Sequence, residues 1–342
     1  MVKIAKNNLP TVSVIIPMRN EEEYIAQCLQ SVMDQEYPKD LMEVLVVDGM
    51  SDDSSNEIVA GFTSKYSFVR LLHNPKQVTA SALNRGIMES KGQIIIRIDA
   101  HCSIEADYIS SSVNALERTG ADNVGGFVIP IGTTFVQRAI GLAMSSPFGI
   151  GSSRFRYSEK EDFVDTVSFG AYQRQVFEKI GLYDEEANYG EDDELNYRLI
   201  KSGGKILISP RVKSQYHPRS SLSGLWRQYY NFGYGKVQTI RKHGRPASWR
   251  HLVPPVFVIS IVGSLVVFAL DPVLGWLVAV IIGSYLVSAI LVSARISSRQ
   301  RWKYFPILPV VFATLHFSYG IGFLKGTIAN FLPDSIWHRK RT

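Results

Sequence analysis

The sequence predicts an α/β domain, a mostly parallel sheet with helices on both faces, followed by C-terminal transmembrane helices. Three observations carry this reading. Short aliphatic runs recur at regular intervals through the N-terminal part, with helix-period segments between them. Most of the charged residues precede position 252. Beyond it stand three runs of about twenty residues nearly free of charge, the length that crosses a bilayer core.

Residues 12–16, 44–47, 69–72 and 94–98 read as buried strands. In the helix after the first of them, Ile25, Cys28, Leu29 and Val32 fall on one stripe, and Asn20 with Glu23 is expected to form a capping box. A second helix carries Ile58, Val59 and Phe62; a third carries Ala82, Leu83, Ile87 and Met88 and is broken by Lys91 and Gly92. A helix near 108–119 and a strand near 123–130 follow, after which the alternation fades and 131–165 is the least legible stretch. A helix at 192–202 and a strand at 205–209 complete the soluble part, with no repeat or low-complexity segment.

The apolar runs are 252–270, 272–293 and 305–324. They account for a hydrophobic content of 46%, high for one ordinary soluble domain. The polar residues 1–10 do not read as a signal peptide, so the globular part is expected to stay on the side where it is made. Arg241, Lys242, Arg245 and Arg250 precede the first run; Asp271-Pro272 joins the first two; Arg295, Arg299, Arg301 and Lys303 follow the second. By the positive-inside rule this is cytoplasm, outside, cytoplasm. A third full crossing would put His338, Arg339, Lys340 and Arg341 outside, so the third run, with Pro306, Pro309 and His316, is also open to a re-entrant or interfacial reading. The net charge of +6 gathers near these segments, which points to anionic headgroups and away from nucleic acid. Cys28 and Cys102 are expected to be free thiols. The division is therefore 1–220 globular domain, 221–251 amphipathic membrane-interface segment, 252–330 transmembrane region and 331–342 basic tail.

A dinucleotide-binding turn would place glycines after the first strand, where this chain has Pro17, Met18, Arg19, Asn20 and three glutamates. Those carboxylates suit a helix N-terminus and would repel a pyrophosphate, for which a divalent cation is the natural holder. Asp48 ends the second strand, where it could accept from a base or a ribose, or form an Asx turn and cap with Ser51, Asp52 and Asp53. Asp99 follows a run of aliphatics, a costly place for a carboxylate unless it is paired or bound to metal. Arg97 could pair with it, although a strand residue and a turn residue share a face only loosely. With His101, Asp99 is placed to hold Mg²⁺ or Mn²⁺; the plainer reading of His101 is a surface hydrogen-bonding group.

Glu191, Asp192, Asp193 and Glu194 stand at a helix start, where acids suit the dipole and where crowding can lift one pKa toward that of a general base. Strand ends and helix starts of an α/β sheet converge on one rim, so this cluster and Asp99 are expected to share a cleft. From Trp226 to Lys236 aromatics and cations mix, which suits a helix in the headgroup plane or one closing over a diphosphate.

Taken together, these motifs resemble the family 2 inverting glycosyltransferases of the GT-A fold over roughly residues 11–240. The resemblance rests on the strand and loop through Pro17, Asn20 and Glu21, on Val47-Asp48 with Ser51-Asp52, on Ala82 to Ile87 with Lys91-Gly92, and on Asp99-Ala100-His101. It implies nucleotide-sugar contacts from Pro17, Arg19, Glu21, Asp48, Asn84, Arg85, Asp99 and Arg227, metal ligation by Asp99 and His101, and a catalytic base at Asp192 beside Glu191. His101 stands where the family usually has an aspartate, and Trp226-Arg227-Gln228 does not reproduce the Gln-x-x-Arg-Trp motif of processive synthases. Among subgroups the chain is similar to the succinoglycan-type, ExoA-like membrane enzymes. That likeness implies a metal-dependent inverting transfer from a UDP-sugar to a lipid-linked saccharide in exopolysaccharide or cell-surface glycan synthesis. The enzyme would be a multi-pass inner (plasma) membrane protein with a cytoplasmic catalytic domain and polysaccharide-assembly proteins as candidate partners. A polyprenyl-phosphate sugar synthase and a catalytically silent nucleotide- or glycolipid-binding scaffold are the competing readings. A transporter is weaker, since His316 is the one ionisable group within the three runs.

Overall fold

The computed structural model describes residues 9–151, 160–187, 189–244 and 248–331. Arg245, part of the illegible stretch (152–159) and the basic tail from 332 lie outside the described residues. The chain forms two compact units, Met1–Pro130 with Ser153–His217 and Ile131–Ser152 with Pro218–Thr342.

The first unit is built on β1 (Val12–Met18), β2 (Met42–Asp48), β3 (Val69–His73), β4 (Ile94–Arg97), β5 (Cys102–Ile104), β6 (Asn123–Pro130), β7 (Asp162–Phe163), β8 (Ala171–Gln173) and β9 (Ile206–Tyr216). They form one sheet in the order β3-β2-β1-β4-β8-β6-β9-β5, with β7 added on β9. The four strands legible as aliphatic runs are parallel to one another. Beyond β4 the sheet is mixed, because β8 runs antiparallel to both β4 and β6. The expectation of a mostly parallel sheet therefore holds for half of it. A three-residue strand such as β8 leaves no periodic trace in the sequence.

Helices α1 (Ile25–Met33), α2 (Ser55–Lys65), α3 (Thr79–Glu89) and α4 (Tyr108–Thr119) cover the sheet. The α1 stripe is buried as its spacing requires, at Ile25, Cys28, Leu29 and Val32. On α3, Ala82, Leu83 and Ile87 are buried while Met88 is 68% exposed, one position off the stripe. Helix α3 lies close on β1, since a Cβ at Gly86 would stand 2.4 Å from Ile15 Cγ2. Asn20 and Glu23 do not form the expected capping box: α1 begins at Ile25 with Tyr24 at its N-cap and no side-chain cap. Asn20 instead takes a left-handed conformation (φ 55°) and accepts from the Asp52 N–H at 3.0 Å, tying the loop after β1 to the loop after β2. Asx side chains tolerate that region of φ better than most.

The second unit holds α5 (Phe135–Met144) and α6 (Pro147–Ile150), both from the stretch illegible in the sequence. Helices α7 (Arg174–Ile180) and α8 (Glu191–Lys201) return to the first unit, and α9 (Leu222–His243), α10 (Val253–Leu270), α11 (Trp276–Arg299) and α12 (Leu308–Phe331) complete the second. Among the described residues three helices are long and apolar enough to cross a membrane. Helix α12 runs unbroken for 24 residues, with Pro309 in its first turn, where a proline is tolerated. His316 is absorbed locally: Nδ1 lies 2.9 Å from Tyr285 Oη and Nε2 lies 2.8 Å from the Phe148 carbonyl oxygen.

Helix α9 packs along α12 through backbone contact. A Cβ at Gly233 would fall 2.1 Å from the Tyr319 carbonyl oxygen, and one at Gly322 would fall 2.1 Å from that of Tyr230. The α9 face turned to α12 is thus covered by protein, which narrows the headgroup-plane reading to its other faces. Gly322→Val forces a branched side chain against backbone and is expected to cost about 1–3 kcal/mol or more. Thermal unfolding of the detergent-solubilised protein reads this as a lowered midpoint; Gly263→Val, with open space around its glycine, is the matched control.

Candidate active site

The loops after β1 and β2 are laced into one platform. Ser51 Oγ accepts from the Asn20 N–H at 2.9 Å, Ser55 Oγ from the Glu21 N–H at 2.8 Å, and Asp53 Oδ2 from the Glu22 N–H at 3.1 Å. Asp48, fully buried at the end of β2, accepts from the Ser51 N–H and hydroxyl at 3.0 and 2.6 Å and from the Asn56 amide at 3.2 Å. Of its two readings from sequence, the turn-forming one is realised in these bonds. Pro17 lies within β1; Arg19 is exposed and packs beside Gly49.

Asn84, placed among the nucleotide contacts by resemblance, is buried and engaged by protein at both ends of its amide. It donates to the Tyr183 carbonyl at 2.9 Å and to Glu185 at 3.2 Å, and accepts from the Tyr183 N–H at 2.8 Å. Its function here is to latch the segment that leads into α8. Arg85 beside it is half-buried and forms no ion pair among the described residues.

Asp99 and the acidic cluster meet at one guanidinium. Arg97, only 6% exposed, donates from Nε and Nη2 to Asp99 Oδ1, both at 3.0 Å, from Nη2 to Glu191 Oε1 at 2.9 Å, and from Nη1 to Asp192 Oδ1. Sequence reasoning undervalued Arg97 because alternation on a strand puts it off the face of a turn residue; a long, forked side chain reaches past that limit. One cation thus serves three carboxylates drawn from two elements. Burial works against the guanidinium charge, but Asp192, Asp99 and Glu191 outweigh it and keep Arg97 cationic. Burial raises the Asp192 carboxyl well above the ordinary range, to about 8; Arg97 opposes the rise, and Glu191, Asp99 and Asp193 add to it.

The four acids of α8 separate by role. Glu191 and Asp192 face Arg97. Asp193 accepts from the Thr166 hydroxyl at 3.0 Å, and Asn196 donates to that same hydroxyl oxygen at 3.0 Å while accepting from Asn123 at 3.0 Å. Glu194 is 1% exposed and pairs with Arg198, whose other N–H groups donate to the Ile180 and Leu182 carbonyls. Glu194 is therefore a structural anchor, and the first turn of α8 is set by a buried network under it. None of Thr166, Asn123 and Asn196 carries a signal in sequence.

His101 joins the β1 loop, its Nδ1 lying 3.0 Å from Glu21 Oε1. His217, which sequence reasoning missed, follows Tyr216, and Tyr216 pairs antiparallel with Cys102, so the register sets His217 across from His101. Its ring stacks on Tyr24 at 4.9 Å, and its Nδ1 is buried without a hydrogen-bond partner. Burial and then His101 lower its pKa, favouring the neutral, ligating form. A sealed imidazole nitrogen with no partner costs free energy that a ligand relieves. Among the described residues no group of three His, Cys, Asp or Glu side chains stands ready to hold a metal. The donor types present, a carboxylate at Asp99 and imidazoles at His101 and His217, do not converge as a set of three, so they suit a divalent cation that draws most of its ligands from a diphosphate and water. Arg227 lies on α9 of the second unit.

A family description, Glycosyl transferase family 2, matches residues 13–181. The chain is 31% identical over 237 residues to glycosyltransferase AglE of Haloferax volcanii, covering 68% of this chain and 75% of that protein. It is 28% identical over 325 residues to a dolichyl N-acetyl-alpha-D-glucosaminyl phosphate 3-beta-D-2,3-diacetamido-2,3-dideoxy-beta-D-glucuronosyltransferase of Methanococcus voltae, 93% of this chain and 97% of that one. It is also 28% identical over 314 residues to the succinoglycan biosynthesis protein ExoA of Rhizobium meliloti, 91% and 93% of the two chains. Among solved structures, a mannosyltransferase from Pyrobaculum calidifontis in complex with GDP-Man and Mn²⁺ superposes with a TM-score of 0.60 at 18% identity, covering 94% of this chain and 88% of that one, which shows a shared fold.

Proposed function

The chain belongs to glycosyl transferase family 2 and is a glycosyltransferase of the GT-A fold; from that premise we propose that it transfers a sugar, with inversion, from a UDP-sugar to a lipid-linked saccharide. The observation that carries the reading is the convergence of Asp99 and Asp192 on Arg97, which brings a donor-side carboxylate and a candidate base into one site. A near-complete match to a relative named for a dolichyl-linked acceptor, together with three apolar helices, supports the lipid-linked acceptor.

Asp192 acts as general base. Its Oδ1 is held by Arg97, and its Oδ2 takes the proton of the acceptor hydroxyl as that oxygen attacks the anomeric carbon. The raised proton affinity of Asp192 suits that task. Asp99, His101 and His217 would hold Mg²⁺ or Mn²⁺, which supplies charge to the departing nucleoside diphosphate. Arg85, and Arg19 at the edge of the platform, offer further positive charge, while Pro17, Glu21 and Asp48 shape the nucleoside end. Arg227 stays a donor contact on resemblance alone.

The membrane helices keep the acceptor's lipid in two dimensions and so raise the effective concentration of its hydroxyl. Basic residues flanking α10 and following α11 support an inner-membrane, multi-pass protein with its catalytic unit in the cytoplasm. Incubating membranes that contain the protein with a panel of radiolabelled nucleotide sugars and extracting lipid tests the reading: label enters the lipid phase with one donor. Label that stays wholly aqueous with every donor overturns it. A smaller test concerns His217: His217→Ala is expected to weaken Mn²⁺-dependent UDP binding by about tenfold, read by calorimetry, with little change in UDP binding without metal.

A further inference from the structure

We infer that Arg97 is a positioning residue that makes divalent-cation binding at Asp99 conditional on the nucleotide, by occupying that carboxylate whenever the donor is away. The inference rests on the proposed donor site. Its ground is the way the guanidinium is shared. Two of its N–H groups converge on the same Asp99 oxygen, and two more go to Glu191 and Asp192. All four side chains sit in the first unit, and none is more than 27% exposed.

Three carboxylates about one fixed cation leave negative charge in excess, which by itself would draw a bare metal ion. Arg97 counters that draw where it matters, because Asp99 takes its bonds from Nε and Nη2 together and therefore offers a cation a carboxylate already partly neutralised. A donor diphosphate changes the balance by supplying ligands of its own. Arg97 then keeps Asp192 and Glu191 in place, so one residue links the donor end of the reaction to the acceptor end. A lysine could not do this, since its ammonium is a point charge without the fork that reaches three partners.

The test is Mn²⁺ binding to the full-length protein in detergent, followed by electron paramagnetic resonance of the free ion, with and without UDP, for wild type, Arg97→Gln and Arg97→Lys. Wild type is expected to bind Mn²⁺ weakly alone and much more tightly with UDP. Arg97→Gln is expected to bind Mn²⁺ alone at least about tenfold more tightly than wild type, with a smaller gain from UDP. Arg97→Lys should fall between them, and it carries the test by itself should the glutamine variant fail to fold. Both variants lose sugar transfer. Affinity for Mn²⁺ alone that is unchanged or weaker in every folded variant overturns the inference, since a merely structural Arg97 would give that result. If wild type shows no Mn²⁺ binding even with UDP, the donor-site reading fails and the inference with it.

Discussion

Asp192→Asn loses sugar transfer by about 10²–10⁴-fold while still binding UDP, the signature of a removed general base. An amide keeps the shape of the side chain and can still meet Arg97 through its oxygen, but it cannot take a proton. Nucleotide binding by calorimetry and transfer to lipid, measured on the same preparation, separate the two effects. Near-wild-type turnover would refute the assignment. The pH dependence runs the same way. Burial raises Asp192 to about 8, so the ionised share of the base grows as pH rises toward that value. Transfer in the wild type should rise with pH, close to tenfold per unit below that value, and level off above it.

Asp99→Asn is expected to remove the gain that Mn²⁺ gives to UDP binding and to lower transfer by roughly 10³-fold, since Lewis-acid stabilisation of a departing diphosphate is worth several kcal/mol. UDP binding without metal should change little. Asp99 also holds Arg97, and an amide oxygen can still accept from it but carries no charge to offset the buried cation, so a lower unfolding temperature accompanies the loss. The readout that decides is therefore the ratio of UDP affinities with and without Mn²⁺ in protein shown to be folded. A ratio equal to that of the wild type removes Asp99 from the metal site.

The ordering of these effects reflects which parts of the site are legible in a linear chain. Asp99 and Asp192 announce themselves by cost: a carboxylate directly after buried aliphatics, and acids crowded at a helix start, each need a partner or a purpose. Arg97 lies in plain view beside Asp99, yet its reach to α8 depends on how β4 and β8 are paired. His217 sits in no motif; a lone histidine after a strand says nothing until the register of β5 and β9 brings it opposite His101. Asn84 shows the converse. Its place in a family-like motif suggested a ligand contact, whereas the amide is taken up by the backbone of Tyr183.

Secondary structure divides in the same way. The four parallel strands, α1, α4, β6 and the three apolar helices follow from periodicity and composition, which act over a few neighbouring residues. Helices α5 and α6 escape detection because they belong to the second unit and obey a different burial pattern from the strands around them. Residues 131–151 group with the C-terminal helices in the second unit, a choice that no local pattern records.

By itself the sequence determined the aliphatic half of the sheet, the membrane-length helices, the free thiols and the two acidic points on which catalysis would turn, because hydrophobic period and the cost of unpaired charge are local properties. Tertiary structure alone decided which carboxylate meets which partner: Glu194 goes to Arg198, Asp193 to Thr166, and Glu191 and Asp192 to Arg97. Four neighbours on a helix turn go to three different partners, and only the packing of that turn against segments distant in the chain assigns each its charge environment.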